Sequence, residues 1–90
     1  CFYSENKATY IHTNAKRNYL IDGSLEHWQD QLDPEQFFRV NRTYMVHINA
    51  LKDIVAYTNS RLKLILHSYN ETEIIESKDR VKDFKSWIDR

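Results

Sequence analysis

Arg42 and Lys78 are the side chains whose type and setting point most directly to recognition chemistry. Arg42 sits in a polar knuckle, Asn41-Arg42-Thr43, between two apolar stretches at 37–40 and 44–48. A guanidinium presents a planar fork of donors that fits a phosphate, or the O6 and N7 of guanine. An asparagine amide can pair with adenine N6 and N7, and a threonine can donate to phosphate or touch a thymine methyl. Lys78 follows Ser77 at the start of what reads as the final helix. Free backbone N–H groups at such a start already favour an anion. Asp79 opposes that charge and suits plain helix dressing. An ordinary charged turn has the same composition as the knuckle, so local chemistry leaves contact with a polyanion and a solvated turn both open.

Other chemistries find less support. His12, His27, His47 and His67 have no histidine three or four residues away, the spacing of a helical metal pair. They read as surface or half-buried residues. Cys1 is the only cysteine, so no intrachain disulfide or cysteine zinc cluster can form, and a reducing, intracellular setting fits. One glycine, Gly23, cannot build a glycine-rich phosphate loop. Ser24 and Ser77 stand where helix caps belong rather than as nucleophiles. The chain reads as non-enzymatic, with no cofactor and no metal. Tyr10, Tyr19, Phe38, Tyr44 and Tyr57 read as strand aromatics of the core. Stacking on unpaired bases, as in single-stranded RNA binders, would need them exposed.

Short strands must hold these groups. Aromatic and β-branched enrichment predicts strands over 1–4, 8–13, 18–21, 37–40, 44–48, 54–57, 62–66 and 73–75. Turns fall at 5–7, 14–17, 58–60 and 68–72, with a helical turn at 49–51. Leu62, Leu64 and Leu66 share one face of their strand. Ser24 caps a helix carrying Leu25, Trp28 and Leu32, which ends at Asp33-Pro34 because the residue before proline avoids helical angles. Ser77 is expected to cap a last helix whose buried stripe is Val81, Phe84 and Ile88, with Trp87 alongside. The fold class is mainly β with small α content, and connections this short demand antiparallel pairing.

Ninety residues suit one small domain, expected to span the whole chain, 1–90. Thirteen basic and thirteen acidic residues cancel, but the charges are sorted. From 22 to 35 every charge is acidic; from 36 to 70 Arg39, Arg42, Lys52, Arg61 and Lys63 face only Asp53. Such sorting can give one positive and one negative face. No apolar run approaches the roughly 20 residues of a membrane span. The chain starts at Cys1 without a secretory pattern, which is expected of an excised piece of a longer protein.

With these residues in place, the chain resembles the LytTR (LytR/AgrA-type) DNA-binding domain of bacterial response regulators. The likeness runs through the Tyr10 strand, the Leu25 helix, Phe38-Arg39-Val40, Arg42-Thr43-Tyr44-Met45-Val46, Leu51, Ile54, Ser77-Lys78, Phe84 and Trp87. It implies an elongated stack of short antiparallel β-sheets, one intervening helix and a C-terminal helix. It implies loops entering successive major grooves of double-stranded DNA. The contacts would come from Lys7 and Thr9 in the first inter-strand loop, from Asn41, Arg42 and Thr43 in the knuckle, and from Lys78 at the strand-to-helix junction; beside these, Arg80 is expected to touch phosphate. It further implies a cytoplasmic transcriptional response regulator in a two-component phosphorelay, with a receiver domain in cis upstream. The domain would bind promoter direct repeats as a homodimer, away from any membrane. Asn41 stands where histidine is usual, Thr43 where serine is usual, His47 where asparagine is frequent, and Lys78 where arginine is frequent. The alternative is a β-rich protein-interaction or ligand-sensing module that does not bind nucleic acid. The DNA reading requires Lys7, Arg42 and Lys78 on one face, away from Glu26 and Asp30.

Overall fold

Aromatic alternation at the start of the chain builds a hairpin and then a third strand: β1 (Phe2–Glu5), β2 (Ala8–His12) and β3 (Asn18–Ile21). Glu5 pairs with Ala8, so Asn6 and Lys7 alone make the turn, both at positive φ, 52° and 66°. That two-residue geometry follows the right-handed twist of a hairpin. The computed structural model describes residues 1–69 and 73–89. Helix α1 (Leu25–Gln31) begins as expected, with the Ser24 hydroxyl accepting from the His27 N–H at 3.0 Å. Then β4 (Phe37–Arg39) pairs with β5 (Tyr44–His47), and β5 pairs with β1. The five strands form one antiparallel sheet in the order β3-β2-β1-β5-β4. A second antiparallel sheet holds β6 (Leu51–Tyr57), β7 (Arg61–Leu66) and β8 (Ile74–Ile75) in chain order, followed by helix α2 (Val81–Ile88).

Three local features differ from expectation. β6 starts at Leu51 rather than at Ile54, because a bulge between Leu51 and Asp53 lets the charged pair Lys52-Asp53 stay exposed. The helical turn lies at Ile48–Ala50, capped by the His47 ring, whose Nδ1 accepts from the Asn49 N–H at 3.0 Å. Ser77 makes no side-chain cap. A 3₁₀ turn, Lys78–Arg80, precedes α2 instead, and its Arg80 N–H goes to the Ser77 carbonyl at 2.9 Å. Main-chain bonding there removes the need for the hydroxyl. The turn expected over 68–72 lies partly outside the described residues.

β1 is buried on both faces, which splits the core. Tyr3 joins Val46, Leu64, Ile74, Phe84 and others in a cluster linking both sheets to α2. On the opposite face Phe2 packs with Leu25 and Met45, flanked by Trp28 and Phe37, beneath α1. Tyr10, Phe38 and Tyr44 pack into the core as expected, Tyr10 stacking on Tyr3 at 5.2 Å and Phe38 meeting Phe84 and Trp87, whereas Tyr19 and Tyr57, also expected there, are 50% and 37% exposed on their strands. His12 is buried and stitches the sheets, with Nδ1 2.8 Å from Asn18 Oδ1 and Nε2 2.9 Å from the Ser68 carbonyl. The domain measures 33 × 25 × 24 Å along its principal axes. No helix among the described residues is long and apolar enough to cross a membrane.

Candidate nucleic-acid interface

The knuckle between β4 and β5 is shaped by Asn41. Its Oδ1 accepts from the Thr43 N–H (2.8 Å), the Tyr44 N–H (2.8 Å) and the Thr43 hydroxyl (3.1 Å). This is the local bonding that makes asparagine a turn residue. Arg39 holds the same turn from within. It is 8% exposed, and its Nε donates to the Asn41 carbonyl at 2.8 Å. One Nη donates to the Arg42 carbonyl at 2.6 Å and to Glu26 Oε1 at 3.2 Å; the other donates to Gln29 Oε1 at 3.2 Å. A buried guanidinium thus fixes two knuckle carbonyls and anchors them to α1. The Arg42 side chain itself is exposed, and among the described residues nothing holds its guanidinium.

Two further turns join the knuckle. The Ser4 N–H donates to the Thr43 carbonyl at 2.9 Å, tying the knuckle to β1 just before the Asn6-Lys7 turn. Lys7 and Arg42 line one recess, whose walls also include Ser4, Thr9, Leu25 and Glu26. On the other side Asn41 Nδ2 donates to the Ile75 carbonyl at 2.8 Å, and the Ser77 N–H to the Val40 carbonyl at 3.0 Å. The exposed Lys78 follows immediately. Arg80 is half-buried and donates from Nη1 to the Arg39 carbonyl at 3.3 Å.

The structure brings together the first loop, the knuckle and the strand-to-helix junction. Within them the candidate residues differ in availability. Lys7, Arg42, Thr43 and Lys78 are exposed. Thr9 is 5% exposed and forms part of the recess wall. Both ends of the Asn41 amide are engaged within the protein, and Arg80 is partly engaged.

Charge is less segregated than the composition suggests. Glu26 lies in the recess with Lys7 and Arg42 rather than away from them, and its carboxylate is taken by Arg39. Its own backbone N–H, then Arg39, hold that carboxyl below its ordinary value. Glu76, between the Asn41-bonded Ile75 and Ser77, is fully buried, and neither carboxylate oxygen has a hydrogen-bond partner among the described residues. Burial pushes this carboxyl up to about 8, against a downward pull from Arg80 and with a smaller upward push from Asp79. Among the described residues no group of three or more histidine, cysteine or acidic side chains could hold a metal ion.

Sequence reasoning missed that Arg39 and Glu76 are buried in this region. A lone arginine alternating with Phe38 and Val40 on a short strand was the available signal for the first, since a charge surrounded by core residues needs partners. Nothing local marks Glu76 as buried, because it follows the two-residue strand β8 at a junction.

Comparison with known proteins places this geometry in a family. The model of the LytTr DNA-binding domain matches residues 1–89. The transcriptional regulatory protein YpdB of Escherichia coli K12 is 27% identical over 86 residues, which are 93% of this chain and 34% of that protein. The transcriptional regulatory protein LytR of Staphylococcus aureus N315 is 27% identical over 85 residues, 94% of this chain and 33% of that protein. The chain therefore spans about a third of the length of the curated relatives it matches. A solved LytTr DNA-binding domain of a Bacillus cereus response regulator shares the fold at a TM-score of 0.85 and 21% identity, over 97% of this chain and 77% of that one. By fold and by sequence, this chain belongs to the LytTr DNA-binding domain family.

Proposed function

We propose that this domain binds double-stranded DNA with sequence specificity and acts as the output domain of a transcriptional response regulator. The observation that carries the reading is the bonded convergence of three turns bearing exposed cations, Lys7, Arg42 and Lys78. Arg42 has a free fork for guanine or phosphate. Lys78 and Lys7 supply point charges for the backbone, and Thr43 adds a hydroxyl. Arg80 touches phosphate with the donors it does not spend on Arg39. Asn41 and Thr9 shape the surface: one folds the knuckle, the other walls the recess.

The transcriptional regulators similar to this chain are about three times its matched length, which supports a longer protein. In that protein a receiver domain in cis controls the DNA-binding domain, and two copies occupy direct repeats in a promoter. The family is one of DNA-binding domains, which supports a domain that works by binding. A protein contact accompanies the DNA contact, favoured by Tyr19 (50% exposed) and Leu20 (69% exposed) on the edge strand β3. Selection of bound fragments from random duplex DNA tests the main reading. A recurring motif is expected; recovery of unrelated fragments at every round would overturn it.

A further inference from the structure

We propose that Asn41 is a positioning residue that rivets the knuckle to the strand-to-helix junction, so that Arg42 and Lys78 meet DNA as one rigid body. The inference rests on the DNA reading above and assigns a device within it. The orientation of the amide follows from its partners. Three donors converge on Oδ1, and a carbonyl faces Nδ2. A flipped amide would aim Nδ2 at the Thr43 and Tyr44 N–H groups and Oδ1 at the Ile75 carbonyl, leaving those three main-chain pairs mismatched. An asparagine reading adenine needs both its acceptor and its donor for the base. Here both are committed inside the protein.

The Nδ2 bond joins residues 34 apart in sequence. Ile75 stands three positions before Lys78, and Arg42 is the next residue after Asn41. The other links to the junction, from Ser77 to the Val40 carbonyl and from Arg80 to the Arg39 carbonyl, attach to the stem of the knuckle. Among the described residues the Asn41 amide alone fastens the knuckle itself to the chain leading into Lys78. Contacts held in one frame bind together without each paying its own ordering cost.

The test separates the two halves of the amide. Asn41→Asp keeps the acceptor for Thr43 and Tyr44 and loses the donor to Ile75. Asn41→Ser keeps a short acceptor, cannot reach Ile75, adds no charge, and gives the same comparison should Asn41→Asp fail to fold. Affinity for a selected duplex is measured for Arg42→Ala and Lys78→Ala in the wild-type and variant backgrounds. Lys78→Ala is expected to weaken wild-type binding about tenfold and variant binding less than about threefold, while Arg42→Ala keeps its full factor in both. In the free variants, hydrogen exchange is expected to quicken at the Arg80 amide and to stay slow at the Tyr44 amide. An undiminished Lys78→Ala factor, or equal shrinkage of both factors, overturns the inference. Wild-type protein that fails to prefer the selected duplex overturns the DNA reading instead, and the exchange result then judges the rivet alone.

Discussion

At the scale of single residues, cost and use are set against each other. Lys7 occupies a left-handed position, φ 66°, in a turn where glycine is at ease. A long cation is kept there despite a strain on the order of 1 kcal/mol. Lys7→Gly is therefore expected to raise stability by about 0.5 kcal/mol, after the added freedom of the unfolded chain is subtracted, and to weaken DNA binding. Denaturant midpoints and a duplex titration check the two signs together. Arg42→Ala should cost about 1–3 kcal/mol on the selected duplex if the fork reads a base edge, and equal losses on random DNA would assign it to phosphate. Glu76 makes a pH statement. Its carboxyl sits at about 8 in the folded protein against an ordinary 4.5, so the folded state holds the proton more tightly. Its favourable contribution is complete below about 4.5 and is lost as pH rises toward 8, with a limiting slope of about 1.4 kcal/mol per pH unit. Glu76→Gln is expected to flatten that slope and stabilise the domain at pH 8; an unchanged pH profile would show that the carboxyl is hydrated.

At the scale of elements, the hub is β4, a strand of three residues, Phe37–Arg39. Phe38 feeds the core while the Arg39 guanidinium gathers the Asn41 and Arg42 carbonyls with Gln29 and Glu26. Arg39→Met is expected to destabilise the domain by about 2–4 kcal/mol, since it strands buried carbonyls, and to loosen the knuckle. Thermal melts and exchange at the Thr43 amide would register both effects. The elements themselves were largely legible in the sequence. Ser24 before Leu25 and Trp28 announced α1, and the hairpin turns at Asn6-Lys7 and at residues 58–60 stood out as polar breaks. Legibility failed where main-chain bonding replaced a side-chain signal. Ser77 looked like a cap, but a 3₁₀ turn carries the chain into α2. Lys52 and Asp53 fell outside the strand expected over 54–57, but a bulge lets β6 run through them.

At the scale of the whole molecule, the proposed DNA contact depends on turns remote in sequence becoming neighbours. Residues 4 and 43, 41 and 75, and 40 and 77 are joined by hydrogen bonds. No periodicity reports such pairs; only the ordered resemblance of the chain to a family pointed to the three turns as one proposed interface. Individual roles were less legible than the region. Arg42 and Lys78 are as available as their residue types suggested, whereas Asn41 and Thr9 are absorbed by packing and turn bonding. A formal net charge of zero makes the local arrangement decisive, because no global positive field draws the domain to DNA. A salt titration of binding to the selected duplex, repeated for Lys7→Ala, Arg42→Ala and Lys78→Ala, tests the grip most directly. Log affinity is expected to fall linearly with log salt concentration, by about 0.9 per phosphate contacted, and each substitution of a phosphate-contacting cation should shallow the slope by about one such unit. A flat wild-type response, or slopes indifferent to all three substitutions, would contradict a double helix held by these three turns.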